Sequence, residues 1–396
     1  MDNVTPGRAL VPFAYGFRPF FLLAGLYAAF SIGAWVWMHA HGAAIFQSLP
    51  PQHWHGHEMT FGFIGAAIAG FLLTAVPNWT GEQGISGAPL IVLTILWLAG
   101  RVAFLLPGSV PFAAIVVAEL LFLPTLILMI APMLFRSANR NRILLLVLAL
   151  LWLADVWFVY GLRFEKPLIV RDAVLVAMDL VLILVTIIGG RIVPAFTRNA
   201  LNQAGATVSL QPIPTLERLV IVAMLAVAVG DLVAPGGKLA AGLAAIAALL
   251  HLWRQSGWHA WQTRRQPIVW VLHLAYLWLP IGFALKAAAL GAGIAWAGFW
   301  QHALGAGAAG TMILAVMTRA TLGHTGRPLH VRPPIAIAYL LLTLSVIVRV
   351  FGPFALPLDY GTLILIAGLL WLGAFIPYLV IYGPMLLRPR IDGKPG

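Results

Sequence analysis

Three ionisable side chains stand close together at the start of one apolar run. His55, His57 and Glu58 fall within the segment 54–59, where a membrane helix would begin. Charge next to lipid is costly, so ionisable residues in such a place usually serve a function. Imidazole is also the side chain that binds haem iron and copper. The segment therefore predicts that at least one of the two histidines binds a metal or cofactor.

The two histidines should point in different directions. Side chains two positions apart on an α-helix differ by about 200° in direction, so one ion would not normally take both. His57 is the better candidate to face a helix bundle, because Gly62, Gly65 and Gly70 follow it and small residues permit close approach. The alternative is that His55 and His57 only form hydrogen bonds with headgroups or loops at the interface.

His302 begins a second run of small side chains. The segment 303–310 that follows it contains only Ala, Gly and one Leu. An almost bare helix surface below a histidine would suit a flat macrocycle, although a tightly packed helix pair is the simpler alternative. Because His57 and His302 have similar predicted depths, the sequence predicts that they hold a haem between the second and tenth helices.

More histidine and arginine residues fall towards the opposite membrane face. His273 lies inside the ninth apolar run, and His324 follows the tenth run between Arg319 and Arg327. The two arginines could bind a propionate or another anion through bidentate hydrogen bonds. They could equally be the basic anchors that inner helix ends normally carry.

Acidic side chains also interrupt apolar runs. Glu119, Asp155 and Asp179 all fall inside predicted helices, as does Arg101. Ionisable residues in such positions normally pair with one another or mark a proton or ion path. Pairing with Arg101 or with a metal-bound histidine is the simpler interpretation, and a proton relay is the alternative.

Composition identifies the class of protein. The chain has 396 residues, of which 61% are hydrophobic and 9% charged, whereas soluble domains carry about a quarter charged residues. There is no cysteine, which excludes disulfides, iron–sulfur clusters, thiolate haem ligation and cysteine nucleophiles. We predict an all-α polytopic membrane protein that forms one transmembrane domain over residues 1–396.

Twelve apolar runs are long enough to cross the hydrocarbon core of a lipid bilayer, which takes about 20 residues each. They lie at 20–38, 54–76, 88–106, 110–134, 142–163, 171–193, 215–234, 237–254, 267–290, 296–318, 334–351 and 360–387.

The net charge of +12 is best explained by orientation rather than by nucleic-acid binding. Most Lys and Arg fall on one side of the membrane if the N-terminus is placed inside, so both termini are predicted to be cytoplasmic. The segment around His55 and His57 then lies near the outer face, together with His302.

A weak repeat relates three of these runs. The second, sixth and tenth runs end in similar segments, 75–80, 192–197 and 314–319. These segments recur every four helices, which predicts three pseudo-repeats of four helices around a binding site.

Four motifs together resemble the NnrS family across nearly the whole chain. They are the Gly-Phe-Arg-Pro-Phe-Phe segment 16–21 and the segments 54–62, 190–197 and 302–327. The resemblance implies a bacterial inner-membrane protein of twelve helices that binds haem and copper. It also implies a role in nitric oxide metabolism or in resistance to nitrosative stress, often beside denitrification, with nitric oxide as ligand or substrate.

The resemblance leaves the copper ligands and the reaction open. Copper would use either an outer set containing His53 or His55, or an inner set of His273 and His324. Turnover and the electron donor are not specified. The alternative function is a transporter of a metal, haem or a small anion that uses membrane-embedded histidines.

The scaffold is also similar to the large subunit of haem–copper oxidases, which has twelve helices in three arcs and haem-binding histidines on its second and tenth helices. Here the sixth helix has Asp179 but no histidine, and the seventh has no histidine pair. An oxidase-type binuclear centre is therefore not expected.

Overall fold

The computed structural model describes residues 10–42, 49–106, 110–137, 139–206 and 208–394. Over these residues the chain is helical, with no strand. The long helices are numbered α1 to α12, and they are α1 Phe17–His41, α2 Pro51–Thr80, α3 Ala88–Leu105, α4 Phe112–Arg136, α5 Arg140–Arg163, α6 Pro167–Gln203, α7 Pro214–Val233, α8 Lys238–Ser256, α9 Pro267–Ala292, α10 Ala295–His324, α11 Pro333–Ala355 and α12 Tyr360–Leu387.

Ten of these helices in the described part of the chain are long and apolar enough to cross a membrane. The helices α7 and α8 are not among the ten, although they occupy the positions of the predicted seventh and eighth runs. The predicted all-helical, multi-pass membrane fold is therefore confirmed.

Proline and glycine set several helix ends. Pro51 and Pro267 occupy the first helical position, where the missing N–H costs no hydrogen bond. Gly81 follows α2 with a φ of 72° and donates its N–H to the carbonyl of Pro77 at 2.8 Å. This left-handed conformation suits glycine and ends the helix.

Two helices contain a π-helical stretch. In α2 the α-helix Pro51–His57 passes into a π-helix over Glu58–Ile64. In α10 the short α-helix Trp300–His302 passes into a π-helix over Ala303–Gly310. Such stretches are rare and are often found at functional sites. Each begins directly after one of the two histidines that the sequence predicts as haem ligands.

Arg18 joins the first helix to the last. Its Nη1 donates to the carbonyls of Leu386 at 3.0 Å and Arg388 at 2.8 Å, where α12 ends. A cation at a helix C-terminus is favourable because the last carbonyls have no partner within the helix. The start of α1 and the end of α12 therefore lie at the same face of the bundle.

The Arg18 contact predicts a loss of stability on substitution. Arg18→Gln should lower the free energy of unfolding by about 2 kcal/mol, because hydrogen bonds from a charged group contribute about 1.5–3 kcal/mol. The effect would be measured by thermal and denaturant-induced unfolding in detergent. Arg388→Gln is the control, since that side chain is exposed. Equal stability of the two variants would contradict the role assigned to Arg18.

Candidate functional site

The beginning of α2 contributes to two different sites. His55 lines an apolar cavity, while His57 is fully buried among charged side chains. The two imidazoles diverge as their spacing predicts. One turn of helix thus serves a cavity on one side and a polar cluster on the other.

The cavity brings His55 next to His302. Their ring centres are 6.4 Å apart and the ring planes differ by 15°. Nδ1 of each ring is buried and makes no hydrogen bond to any residue that the structure describes. Buried polar atoms normally have a partner, so the pair has unused capacity to bind a ligand.

Small and apolar residues surround this histidine pair. The cavity has a volume of about 220 Å³, and its lining includes Gly305, Ala306 and Ala309 of α10. A second cavity of about 350 Å³ adjoins it and shares the lining residues Gly56, Val174, Met178 and Gln301. Together they fall within the usual range for ligand sites, roughly 300–1,000 Å³.

Arg349 of α11 brings a positive charge to the same cavity. Its Nη2 donates to the hydroxyl of Tyr360 at 2.8 Å, and the guanidinium lies 4.8 Å from the centre of the Phe299 ring. No carboxylate of the described residues forms an ion pair with it. Arg349 is therefore available to an anionic group of a ligand.

His57 lies in the second site, between carboxylates on both sides of its ring. Nδ1 is 2.8 Å from Oε1 of Glu58. Nε2 is 3.2 Å from Oδ1 of Asp155 and 3.5 Å from Oε1 of Glu119. This imidazole does not line the cavity, so within the described residues the neighbour of His302 is His55 rather than His57.

Arg101 is the cation of this second site. Its Nη1 donates to Oε2 of Glu58 at 2.9 Å, and its Nη2 donates to Oε1 of Glu119. The hydroxyl of Tyr27 donates to Oε2 of Glu58. The predicted pairing of a buried acid with Arg101 is confirmed for Glu119, and Asp155 lies against His57 instead.

Glycine makes room for the cluster. A Cβ atom on Gly62 would lie 2.5 Å from Cε1 of Tyr27 and 2.9 Å from Nη1 of Arg101. The small residues after His57 therefore admit side chains of neighbouring helices. Gly305 on α10 differs, because a Cβ there would come no closer than 3.9 Å to the nearest neighbour, Sδ of Met178. This glycine therefore borders the cavity rather than a packed side chain.

A further charged pair is buried beside the second cavity. Lys286 of α9 donates to Oδ2 of Asp231 of α7, and both are almost fully buried. Asp179 is also fully buried and interacts electrostatically with both. The sequence predicted a functional or paired role for Asp179 but none for Asp231 or Lys286. Each of these two is a single charged residue within an apolar run, which gives no sign of its partner.

The inner histidines are kept apart from one another. Nε2 of His273 is hydrogen-bonded to Oγ1 of Thr197 at 2.7 Å. The ring of His324 stacks on Tyr15 with centres 6.2 Å apart, and Phe17 lies on it at 5.4 Å. Neither is in ring contact with another histidine of the described residues.

The two flanking arginines also differ. Arg319 lies 3.7 Å from the centre of the Phe196 ring and lines a cavity that His324 shares. Nη1 of Arg327 donates to the carbonyl of Thr325 at 3.3 Å, outside that cavity. Its pKa is lowered, by burial first and by Arg388 second. The structure therefore does not bring Arg319 and Arg327 to a common point.

The fold and the two sites describe a polytopic helical membrane protein with buried imidazoles and charge around one helix. A family model described as NnrS protein matches residues 11–390. The chain belongs to the NnrS family, which confirms the resemblance found in the four motifs. A search of curated proteins found no match.

Arg101 should be the most stability-sensitive residue of the second site. Arg101→Gln leaves Glu58 and Glu119 buried without their cation, and breaking such a pair typically costs about 3–5 kcal/mol. Arg101→Lys should recover little of this, because an ammonium group cannot bind both carboxylates through a planar fork. Unfolding in detergent would measure both.

The matched control is Arg136→Gln, which removes an exposed ion pair with Glu82 and should cost below about 1 kcal/mol. A comparable loss from Arg136→Gln and Arg101→Gln would show that burial of the cluster has no special energetic weight.

Proposed function

We propose that this protein is a haem- and copper-binding protein of the bacterial inner membrane that binds nitric oxide. Its role would be in nitric oxide metabolism or in resistance to nitrosative stress. Membership of the NnrS family supports this role. The observation that carries the haem assignment is the His55–His302 pair in an apolar cavity.

The spacing of this pair would allow both imidazoles to hold one iron. With metal–nitrogen bonds of about 2 Å, two such imidazoles have ring centres about 6 Å apart. The observed separation is 6.4 Å with nearly parallel rings. His302 keeps the role that the sequence predicts for it, and His55 takes the place proposed for His57, whose two nitrogens face carboxylates.

The remaining lining also fits a haem. Gly305, Ala306 and Ala309 present little side chain to a flat ring system, and Arg349 supplies a cation for a propionate. Arg349 takes this role because it shares the cavity with the histidine pair, whereas Arg319 and Arg327 lie elsewhere. Haem with one protein ligand can bind nitric oxide, and haem with two is suited to electron transfer.

The residues of the cavity would then decide between those two uses. His55 lies against Trp35, with ring centres 4.6 Å apart, so this ring is held in place by stacking. If His55 stays bound to the iron, nitric oxide has no open position there. Copper remains a proposal for the outer or the inner histidines, and His273 and His324 would each supply a single imidazole.

We also propose that α7 and α8 cross the membrane, which gives twelve spans in three units of four. One observation supports the repeat. Both α2 and α10 carry a π-helix directly after a histidine, and these two helices are eight helices apart. The shared face of Arg18 and Arg388 requires an even number of crossings, which ten and twelve both satisfy, so this contact does not decide between them.

Haem content tests the ligand assignment. His302→Ala and His55→Ala should each lose most of the haem from purified protein, and any remainder should lose the sharp bis-imidazole α and β bands. Arg349→Gln should weaken binding less, by about 1.5–3 kcal/mol for a charged hydrogen bond. His57→Ala and the exposed control His39→Ala should retain haem.

If His55→Ala retained its haem and His57→Ala lost it, the result would instead support the pairing of His57 with His302. Haem-free wild-type protein would contradict the proposed function and favour the transporter. Nitric oxide is then added to the reduced wild-type protein. A shift of the α and β bands would indicate an open coordination position on the iron, and unchanged bands would indicate that both positions are filled.

Cysteine labelling tests the span count, since the chain has no native cysteine. Lys238→Cys, before α8, should react with a membrane-impermeant maleimide in whole cells, as should the outer control Lys166→Cys. Arg264→Cys should react only after the membrane is opened. Labelling of Lys238→Cys in the pattern of Arg264→Cys would overturn the proposal that α7 and α8 cross the membrane.

A further inference from the structure

We propose that His57, Glu119 and Asp155 bind one divalent transition-metal cation, at a site separate from the cavity that holds His55 and His302. The three residues come from α2, α4 and α5, and each exposes 4% of its surface or less. The proposal does not depend on the proposed haem or on nitric oxide.

Donor spacing is the first support. One nitrogen or oxygen from each residue lies within 4.8 Å of the other two. Nε2 of His57 is 3.2 Å from Asp155 Oδ1 and 3.5 Å from Glu119 Oε1. Neighbouring ligands of one ion with bonds of about 2.0–2.2 Å stand roughly 3–3.5 Å apart in tetrahedral or octahedral geometry.

The hydrogen bond on the other side of the imidazole is the second support. Nδ1 of His57 faces Oε1 of Glu58 at 2.8 Å, and a carboxylate can only accept there, so Nδ1 carries the proton. In the neutral ring Nε2 then presents a lone pair to two further carboxylates. Those groups repel one another unless a cation lies between them. A ligating histidine whose second nitrogen donates to a carboxylate is the usual arrangement at metal sites.

Charge balance is the third support. Three carboxylates, Glu58, Glu119 and Asp155, face one guanidinium, that of Arg101, which leaves two negative charges in a buried cluster. Protonation of His57 would remove one of them, and a proton on one carboxylate would be needed to remove the other. A divalent cation removes both, and uncompensated charge at such depth is costly.

The surroundings leave a free oxygen and keep water out. Oε2 of Glu119 is buried and makes no hydrogen bond to any described residue. The rings of Phe104 and Phe158 lie 4.5 Å and 4.4 Å from that of His57. Buried oxygen donors in an apolar shell bind a cation more strongly than exposed ones, because the local dielectric is low.

The donor set indicates the class of metal. One imidazole with two carboxylates suits Fe²⁺, Zn²⁺, Mn²⁺ or Cu²⁺, whereas Cu⁺ prefers thiolate and thioether sulfur. Glu58 is a positioning residue in this site, since it acts on the metal only through His57.

Titration with Co²⁺ as an optical probe tests the site. Full-length protein in detergent is stripped with a chelator, and its ligand-field absorption is followed as Co²⁺ is added. The background variant His55→Ala removes competition from the cavity. In this background we expect one ion per chain, and metal analysis of untreated wild-type protein then identifies the native element.

Substitutions locate the ligands. His57→Gln, Glu119→Gln and Asp155→Asn should each weaken Co²⁺ binding by more than the roughly 10–100-fold that the loss of an outer partner costs, and Glu58→Gln should fall within that range. The controls Asp179→Asn and His251→Gln alter buried groups elsewhere and should bind normally. Melting temperatures show which variants fold, and Glu119→Gln and Asp155→Asn are the mildest changes because they keep the size of the ligand side chains.

Failure of the parent protein to bind Co²⁺, or unchanged binding in folded Glu119→Gln and Asp155→Asn, would overturn the proposal. Haem measured on wild-type protein from the same preparation keeps the two proposals distinguishable. Wild-type protein that contains haem but does not bind the ion would overturn this site alone. Protein that binds the ion but contains no haem would overturn the proposed function alone.

Discussion

The guanidinium of Arg101, which pairs with both Glu58 and Glu119, sets the position of the second helix. Inside a membrane-embedded bundle a lone carboxylate has no water to stabilise it, so Glu58 can be buried only beside a cation. Arg101 meets Glu58 and Glu119 through different nitrogens and so ties α3 to both α2 and α4. Glu58 in turn fixes the ring of His57. With this side of α2 held, His55 is directed to the cavity on the other side.

One of the two π-helical stretches begins within this charged cluster. A π-turn rotates the residues after it relative to those before it. In α2 the stretch begins at Glu58. The residues after it are therefore rotated relative to Glu58, so the rest of the helix can pack without disturbing the ion pair of that acid. In α10 it begins after His302 and covers the small residues that border the cavity. In both helices a histidine therefore stands directly before the π-helical stretch, and buried small or apolar residues follow it.

The sequence predicted the helices well because an apolar run of about 20 residues has few alternatives in a membrane. It also predicted that His55 and His57 diverge, and that Arg101 pairs with a buried acid. It could not predict which imidazole meets His302, since that depends on the rotation of α2. Tyr27 and Lys286 were missed because a single polar residue within an apolar run gives no sign of its partner on a distant helix.

Two sites on opposite sides of one helical turn cannot be adjusted independently. Gly56 and Met59 line the cavity, while His57 and Glu58 belong to the charged cluster. A rotation of α2 that relaxed the carboxylates around His57 would therefore move His55 relative to His302 and Trp35. The charge of the cluster can therefore affect the cavity in two ways, by its electrostatic field and by changing the orientation of α2. Arg101 already holds Glu58 in place, so a divalent cation bound by the cluster would reinforce this orientation of α2 rather than be required for it.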